Sequence, residues 1–440
     1  MSKRKSITLL TIISIVMAII IVLTFARFPI GVKNYNSALG AIELDYDIEG
    51  GVAYTLTLAS DNEEEVEDVD AVIGTLKDRL NALGYTAYTI KAVKSTDTAV
   101  EDYDIRIELK NTDSVATDVS AVASYGKVKF YGGSAENPTT EILTDMNVIE
   151  DSQYLGLAAE NNHMISLVFK ADAKKELIKL ISAQDTYYLK ITCGENASGE
   201  ENVLFNTSIK EDAFVGNTLG ISGFTVEADA QRSAMQMRSG GLNYKYEVSE
   251  GVAVQSPYGE NVALKMAVAI MTLVIVIIAM LLILYKGLGL IASLSTILFI
   301  FAETWLMIGV PGIVVSMGGI VGIIASTILC AYGMVILAQR VKDEYANSER
   351  TVKSAVNKGF IKSLVPTISV HVIAGIVALA LLVLTGGVIQ NFAMTFGIGV
   401  AVSLICTLVF TRMFTALILP LVSNKEKFLR FKRASKVEEE

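Results

Sequence analysis

Long apolar runs alternate with polar stretches along this chain and divide it into two kinds of region. The first run covers residues 7–25 and follows the basic start Met-Ser-Lys-Arg-Lys. Five more runs follow a long polar stretch, at about 262–284, 288–308, 312–338, 366–385 and 391–422. About twenty apolar residues in an α-helix cross the roughly 30 Å hydrocarbon core of a bilayer. The pattern therefore predicts six transmembrane helices, with a large polar domain between the first and the second.

The first apolar run has two interpretations. A cleaved signal peptide also begins with basic residues and continues into an apolar core. This run, at about 19 residues, is longer than a usual signal core, and no small-x-small cleavage site follows Phe25. We therefore predict an uncleaved membrane helix.

Basic residues mark one side of the predicted bundle. The connection at 339–365 and the tail at 424–440 are rich in Lys and Arg, whereas 309–311 and 386–390 carry no charge. By the positive-inside rule, the basic segments lie in the cytoplasm. We expect both termini to be cytoplasmic and residues 27–260 to lie outside. The basic connection is expected to form an interfacial helix on anionic lipid.

A rhythm of strands and helices runs through the first part of the polar domain. The predicted strands are 52–58, 85–93, 103–109 and 127–131. The predicted helices are 63–83 and 113–124. The helix at 63–83 has apolar residues at three-four spacing, and 103–109 alternates as a half-buried strand does. The order β-α-β-β-α-β predicts a ferredoxin-like unit. The predicted fold class is thus a six-helix membrane bundle with a large extracytoplasmic α+β domain.

Changes of pattern give the domain boundaries. The less regular stretch at about 132–219 is predicted to form a small lobe inserted into the ferredoxin-like base, which covers about 40–131 and 220–250. The whole chain then divides into 1–26 (cytoplasmic start and first helix), 27–260 (α+β domain), 261–423 (five-helix bundle with the basic loop 339–365) and 424–440 (cytoplasmic tail).

Charge and composition narrow the function classes. Residues 27–260 contain 19 basic and 38 acidic residues, a net charge of −19, whereas the rest of the chain carries +10. Such an acidic domain argues against nucleic acid as a partner, because phosphates repel it. Only Cys193 lies in the domain, and the two histidines, His163 and His371, are too few and too separated for a zinc site. There is no phosphate loop, nucleophile elbow or dinucleotide fingerprint. We therefore expect no enzyme activity, no cofactor and no metal.

Six short stretches occur in the order of the motifs of one protein family. They are 44–51 (LDYDIEGG), 78–85 (DRLNALGY), 221–242, 284–292 (LYKGLGLIA), 353–360 (KSAVNKGF) and 392–412 (FAMTFGIGVAVSLICTLVFTR). The residues at the family's motif positions are Asp47, Gly50, Gly51, Arg79, Gly84, Arg340, Gly397, Gly399 and Arg412. Each stretch is a weak signal alone. Together they resemble the SecD branch of the SecD/SecF family, which belongs to the resistance-nodulation-division superfamily.

The resemblance implies a function in protein export at a bacterial plasma membrane. A SecD-like subunit assists late translocation of secreted chains, together with a SecF partner and beside the Sec protein-conducting channel. Its partners would be those two, the translocating unfolded polypeptide and membrane lipid, with no nucleic acid. The layout of one helix, an outer domain and five helices also suits half of a resistance-nodulation-division exporter for lipid or small molecules. That alternative stays open from the sequence.

The match fails where the family is expected to carry protons. The family's fourth helix normally has an Asp-x-Asn motif and a Glu-Arg at its cytoplasmic end. Here Tyr332 and Met334 occupy the Asp and Asn positions, and Gln339 replaces the Glu, while Arg340 is kept. The acids expected in this helix are absent, so the resemblance leaves proton coupling open.

Two ionisable residues within the apolar runs are candidates for a rebuilt proton relay. The family's fifth helix also carries Asp-x-Asn, and Ser369 and His371 stand at those positions. Glu303 lies within the third predicted span. Intramembrane ionisable groups are costly and usually functional. Glu303 could instead snorkel to water near a helix end, and His371 could be a neutral, hydrogen-bonded imidazole. The sequence leaves three alternatives open. Proton coupling is rebuilt on Glu303 and His371, it is supplied by a SecF partner, or it is lost and the chain is a passive subunit.

Overall fold

The computed structural model describes residues 3–30, 33–35, 37–59, 68–94, 103–144, 148–159, 162–184, 186–195, 201–239, 242, 244–310, 313–347 and 351–431. Residues 63–67 of the predicted helix 63–83 and residues 432–440 of the tail lie outside these ranges. The chain forms two compact units. One consists of residues 1–49 and 256–440, which we call the membrane unit, and the other of residues 50–255, which we call the α+β unit.

The helices and strands are numbered in chain order. The α-helices are α1 (Lys3–Phe25), α2 (Tyr46–Glu49), α3 (Val69–Ala82), α4 (Val115–Val122), α5 (Ala171–Ile181), α6 (Glu227–Ser239), α7 (Val262–Tyr285), α8 (Gly287–Gly309), α9 (Met317–Ala346), α10 (Val352–Leu384), α11 (Gly387–Ile405), α12 (Thr411–Ile418) and α13 (Lys425–Leu429). The strands are β1 (Phe28–Ile30), β2 (Lys33–Tyr35), β3 (Gly51–Leu58), β4 (Tyr88–Lys94), β5 (Tyr103–Leu109), β6 (Val128–Gly133), β7 (Glu141–Thr144), β8 (Ile149–Ala159), β9 (Asn162–Phe169), β10 (Tyr187–Glu195), β11 (Glu201–Ile209), β12 (Phe214–Val215), β13 (Thr218–Phe224), β14 (Tyr246–Val248) and β15 (Val252–Val254).

Among the described residues, six helical segments are long and apolar enough to cross a membrane. They are α1, α7, α8, α9, α10 and the continuous segment Gly387–Leu421, which contains α11 and α12. Each falls on one of the predicted apolar runs, so the six predicted spans are confirmed.

The predicted basic loop at 339–365 is wrong. Helix α9 continues to Ala346 and α10 already begins at Val352, so Pro366 lies inside a helix. Thr351 caps α10, its Oγ1 accepting the Ser354 N–H at 3.4 Å. An apolar-run criterion marks only the part of a helix that needs lipid, and these helices extend beyond it as polar helix. The basic residues of 339–365 that the structure describes therefore lie on the ends of two spans and not on a separate interfacial helix.

Small residues bring α9 and α11 into close backbone contact. A Cβ added at Gly318 would overlap the Val388 carbonyl, and one at Gly322 would overlap the Thr395 side chain. The Thr395 hydroxyl donates to the Gly319 carbonyl at 2.9 Å across the same contact. In lipid, where apolar burial gives little drive, such close packing and interhelical hydrogen bonds hold helices together. Helix α9 thereby becomes central, packed against α8, α10 and α11.

One sheet of the α+β unit corresponds largely to the predicted ferredoxin-like base. Its strand order is β14-β3-β5-β4, with β15 also paired to β3, and α3 and α4 pack on it around a shared core. The predicted fourth strand, 127–131, is a strand but lies elsewhere. It forms β6 and pairs with β10 and β7, while β14 and β15 take the place beside β3. An alternating pattern predicts a strand but not its partner. The strands that pair with β3 here, β14 and β15, lie more than 100 residues after it in the chain.

The rest of the α+β unit forms the lobe. Two four-stranded sheets, β11-β10-β6-β7 and β12-β13-β9-β8, share one apolar core with α5 and α6. Helix α6 joins the lobe to the base, because Ala234 and Met237 lie in the lobe core and Met235 lies in the base core. The lobe therefore begins with β6 rather than at about residue 132.

Candidate functional site

Glu303 is buried in the interior of the membrane unit. Its side chain is 1% exposed, so the interpretation that it snorkels to water is wrong. The helix turn explains the placement: Thr296, Phe299, Glu303 and Met307 recur at three-four spacing on the buried face of α8. Ser326 on α9 lies opposite, with its Oγ 2.6 Å from Glu303 Oε1.

The contacts of Ser326 show how a proton can be held at Glu303. Ser326 Oγ lies 2.6 Å from Glu303 Oε1 and 2.8 Å from the Ile323 carbonyl. A hydroxyl has one hydrogen to donate, and a carbonyl only accepts. Both contacts are hydrogen bonds at once only if Glu303 carries a proton and donates it to Ser326. If Glu303 is ionised, the Ser326 hydroxyl turns to donate to the carboxylate. The site therefore accommodates both charge states with a rotation of one hydroxyl.

His371 is the second buried ionisable group and lies on α10. Its ring is 2% exposed, with Nδ1 2.8 Å from the Thr367 carbonyl and Nε2 2.7 Å from Ser403 Oγ. Because the carbonyl only accepts, we assign the proton of the neutral ring to Nδ1, which leaves Nε2 to accept from Ser403. A protonated ring would donate from Nε2 to the same hydroxyl. His371 can thus gain or lose a proton without losing a hydrogen bond.

A seam of small polar residues on α9 and α11 runs from Glu303 to His371. Cys330, one helical turn beyond Ser326, lies within interaction range of Ser403 and of Glu303. Gly399, one turn before Ser403, leaves the space that Glu303 and Ser326 fill, since a Cβ there would overlap both. We call Glu303, Ser326, Cys330, Ser403 and His371 the polar seam.

A π-helical turn follows the seam directly. It spans Cys406–Phe410 and separates α11 from α12. Single π-helical turns within helices are rare and frequently occur at functional sites. Neither this turn nor the seam's serines stand out in the sequence, since serine and cysteine are ordinary residues in an apolar run.

The two replaced Asp-x-Asn motifs are oriented alike in α9 and α10: the Asp position is exposed and the Asn position is buried. At the Asp positions, Tyr332 is 52% exposed and Ser369 is also exposed. At the Asn positions, Met334 and His371 are buried in the bundle. Gln339 lies on the surface and donates to Asp343 at 3.0 Å. The family's acid positions therefore face away from the interior of this chain.

Asp47 occupies a buried position in the membrane unit that the sequence did not predict. It is 7% exposed, and its Oδ2 accepts the Met317 N–H at 2.7 Å at the start of α9. Its Oδ1 is buried and has no hydrogen-bond partner among the described residues. Burial raises the pKa of Asp47 to about 6, against the hydrogen bond from Met317, and the nearby Asp45 adds to the rise.

Arg79 has a structural position in the α+β unit. The side chain is fully buried and donates from Nη1 to the carbonyls of Val122 and Ser124, at the end of α4. Its Nε donates to Ser239 Oγ on α6 at 3.0 Å. Burial lowers the pKa of Arg79 to about 10, which leaves it charged near neutral pH. The residue thus ties three helices together and lies far in the chain from the polar seam.

The other family positions are spread over the molecule. Gly50 and Gly84 have φ of +90° and +86°, where glycine is favoured, and Gly51 begins β3. Arg340 and Arg412 are exposed, and Arg412 Nη2 donates to Asn357 at 3.4 Å. Of the predicted site residues, the structure brings together only Glu303, His371 and Gly399, through the seam.

Comparison with known proteins shows a similarity to protein export membrane proteins. The family model of the protein export membrane protein SecD/SecF, C-terminal, matches residues 236–419. Protein translocase subunit SecD of Acidaminococcus fermentans is 24% identical over 413 residues, which cover 93% of this chain and 91% of that protein. The SecD of Salmonella choleraesuis is 28% identical over 199 residues, 45% of this chain. The chain spans only about a third (32%) of the length of that protein.

A solved structure shows the same fold. The crystal structure of SecDF in its super-membrane-facing form is 20% identical, with a TM-score of 0.68, and the match covers 93% of this chain and 57% of that one. The fold, the family model over the helical bundle and the nearly full-length relative agree with one another. The chain is therefore similar to the SecD/SecDF protein export membrane proteins, in the family model over residues 236–419, in a relative over nearly its whole length and in fold.

Proposed function

We propose that the chain is a SecD-like accessory subunit of the Sec protein-export machinery, and that its bundle carries protons on Glu303 and His371. The relatives support the first part, since they are protein translocase subunits, and one of them matches nearly the whole chain. The observation that carries the second is the buried carboxyl of Glu303, hydrogen-bonded to Ser326. A carboxyl at this depth is too costly to be retained as an ordinary packing residue. No enzymatic step is proposed.

Proton transfer along the seam needs rotations of the two serine hydroxyls, a step across the Cys330 thiol and two titrating groups. A proton on Glu303 is hydrogen-bonded to Ser326, and His371 receives or releases one at Nε2 through Ser403. Cys330 lies between these two ends. Serine hydroxyls can accept on one side and donate on the other, so they transmit a proton without holding a charge in lipid. Moving the seam's charge then biases the packing of α9 against α11.

A SecF-like membrane subunit is the proposed partner. The family's acid positions, Tyr332 and Ser369, face away from the chain interior. A partner packed there would complete the second half of the bundle, as in the two-half layout of this superfamily. The remaining partners are the Sec channel, the translocating unfolded polypeptide and lipid. An exporter half for lipid or small molecules is not favoured, because the relatives are translocase subunits.

The proposed topology follows from charge. The basic ends of α9 and α10 and the basic tail lie in the cytoplasm, as do both termini, and the α+β unit lies outside. Cross-linking in cells tests the assignment: the chain should cross-link to the Sec channel and to secreted chains arrested in transit. Cross-links to neither, with loss of a lipid or drug efflux phenotype on deletion, would contradict it.

Replacing Glu303 by Gln should abolish the proton-dependent part of secretion. The amide keeps the shape and a hydrogen bond to Ser326 but cannot carry a proton. We expect pulse-labelled secretion to fall to the level of cells lacking the chain, and a protonophore to slow it no further. Glu260→Gln is the matched control, because Glu260 is an exposed carboxylate just before α7.

His371→Gln tests the other end of the seam in the same assay. The expected loss is similar, because a relay fails when either end cannot titrate. His163→Gln is the control, since His163 is the other histidine of the chain and lies on β9 in the α+β unit. Full secretion with normal protonophore sensitivity in both seam variants would leave a passive subunit, or one whose coupling comes from the SecF partner.

A further inference from the structure

Three hydrogen bonds hold the segment 43–47 against the start of α9. The Val315 N–H donates to the Glu43 carbonyl at 2.8 Å, and the Asp45 N–H donates to the Val315 carbonyl at 3.0 Å. Leu44 and Val315 thus form a short parallel bridge. Asp47 Oδ2 then accepts the Met317 N–H at 2.7 Å. Asp47 is the one side chain in this set of contacts, which we call the joint.

The joint holds both chain connections of the α+β unit. Glu49 is the last residue of the membrane unit before the chain enters residues 50–255, and Ser256 is the first after it. The Ser256 hydroxyl donates to the Asp47 carbonyl at 2.6 Å. The segments before and after the α+β unit are therefore both held at Asp47. Through Asp47 they are also held to α9, the helix that carries Ser326 and Cys330.

The Asp47 carboxyl is only half satisfied in this position. Oδ1 is buried without a hydrogen-bond partner among the described residues. A buried charge without full pairing is costly, while a neutral carboxyl is much less so. Asp45 is also buried nearby, and its Oδ1 accepts the Tyr46 N–H at 2.8 Å. A second carboxylate so close makes the ionised state of Asp47 less favourable still.

No nearby cation offsets this charge in the described part of the joint. The titratable side chains on the elements around it are Asp45, Tyr46, Glu43 and Glu49 on its own segment, Tyr258 and Glu260 before α7, and Lys265 in the first turns of α7. Glu43, Glu49, Tyr258, Glu260 and Lys265 are all exposed, and Asp45 is the one that acts on Asp47. Residues 316–329 of α9 include no ionisable side chain.

We propose that Asp47 is a proton-binding site, and that proton loading closes the joint between the α+β unit's two chain connections and the start of α9. Solvation of the Asp47 carboxyl decides which protonation state favours the closed joint. With the joint open, water surrounds the carboxyl and the ionised form is stable. With the joint closed, the carboxyl is buried and the neutral form is favoured. Protonation therefore closes the joint, and ionisation loosens it.

The size of the effect follows from the shift in acidity. Burial raises the pKa of Asp47 from 3.8 to about 6. A tenfold change in equilibrium corresponds to one pKa unit, so closure is favoured up to roughly a hundredfold more in the protonated form. This gain is fully present below about pH 4 and is lost as the pH rises through about 6. In the proposed topology the joint lies on the outer, proton-rich side, so this step rests on the proposed function.

Hydrogen exchange of the full-length protein, followed by mass spectrometry at pH 4 to 8 and corrected for intrinsic rates, tests the proposal. In the wild type, protection of the amides of Asp45, Val315 and Met317 should fall up to about a hundredfold across this range. Asp47→Asn, a neutral isostere, should be as protected at pH 8 as the wild type at pH 4, with no step. The control Glu49→Gln changes the same charge at an exposed neighbour and should keep the wild-type profile.

A second variant keeps the test independent of how Asp47→Asn folds. Asp45→Asn removes the neighbouring carboxylate and should move the midpoint of the step to lower pH. Any one of three results would overturn the proposal. Protection in the wild type does not change with pH, the step is still present in Asp47→Asn, or its midpoint is unchanged in Asp45→Asn. If deleting the chain leaves secretion unchanged while the pH-dependent step in protection is present, the proposed export function is overturned and the proton site at Asp47 stands.

Discussion

Replacing Arg79 by Met should destabilise the α+β unit by about 3–5 kcal/mol. The guanidinium is fully buried and donates to the Val122 and Ser124 carbonyls and to Ser239. Methionine fills much of the volume but donates nothing, so the last carbonyls of α4 are left buried without that donor. Losing charged hydrogen bonds at a fully buried position is among the largest single-residue effects.

Cys193 offers a direct measurement of this change. It is 1% exposed, and burial raises its pKa to about 11, so its thiol reacts only when the unit opens. Alkylation of Cys193 in rising urea, mapped by peptide mass spectrometry in the full-length protein, should show a much lower midpoint for Arg79→Met. Arg106→Met is the control, because Arg106 is a half-exposed arginine whose ion pair with Glu108 contributes little. Equal midpoints for the two variants would show that Arg79 does not tie the helices together.

Replacing Gly399 by Ala should disrupt the polar seam and destabilise the membrane unit. A Cβ at this position would overlap both Ser326 and the Glu303 carboxyl. Overpacking of a tight contact costs about 1–3 kcal/mol, and here it also pushes apart the hydrogen-bonded pair on α8 and α9. We expect a lower thermal unfolding temperature in detergent and loss of the proton-dependent part of secretion.

Gly397→Ala is the matched control for this variant. It lies on the same helix two residues away, where an added Cβ would meet Ala378 Cβ at an ordinary 3.6 Å. Both substitutions raise helix propensity by about 1 kcal/mol, so they differ only in what the methyl group meets. Gly397→Ala should be neutral or slightly stabilising. Equal behaviour of the two variants would contradict the close contact at Gly399.

Local patterns predicted the parts of the fold that local physics controls. The six spans follow from apolar runs, because a helix in lipid needs apolar side chains along its whole surface. Strand β5 follows from its alternation with no change of bounds, Tyr103–Leu109. The error in the loop at 339–365 has the same cause. A span is recognised by its apolar core, and its polar extension past the bilayer has no such signature.

The candidate site was only half predictable. Glu303 and His371 stand out because ionisable residues are rare in apolar runs. Ser326, Cys330 and Ser403 do not, since their role depends on which face each helix turns inward. Asp47 was recognised as a motif residue, but its burial against Met317 joins positions 270 residues apart. No local pattern reports such a contact.

By itself the sequence determined the membrane bundle, the acidic α+β domain, the family resemblance and the absence of the expected acids from α9. Tertiary structure alone decided that β6 leaves the ferredoxin-like sheet, that Glu303 turns inward to Ser326, and that Asp47 pins the joint. The physical reason is the distance in sequence over which each interaction acts. Hydrophobic periodicity and helix length are set by neighbours in the chain and by the solvent. Strand partners, helix rotation and the burial of a single carboxyl are set by contacts between segments far apart in sequence.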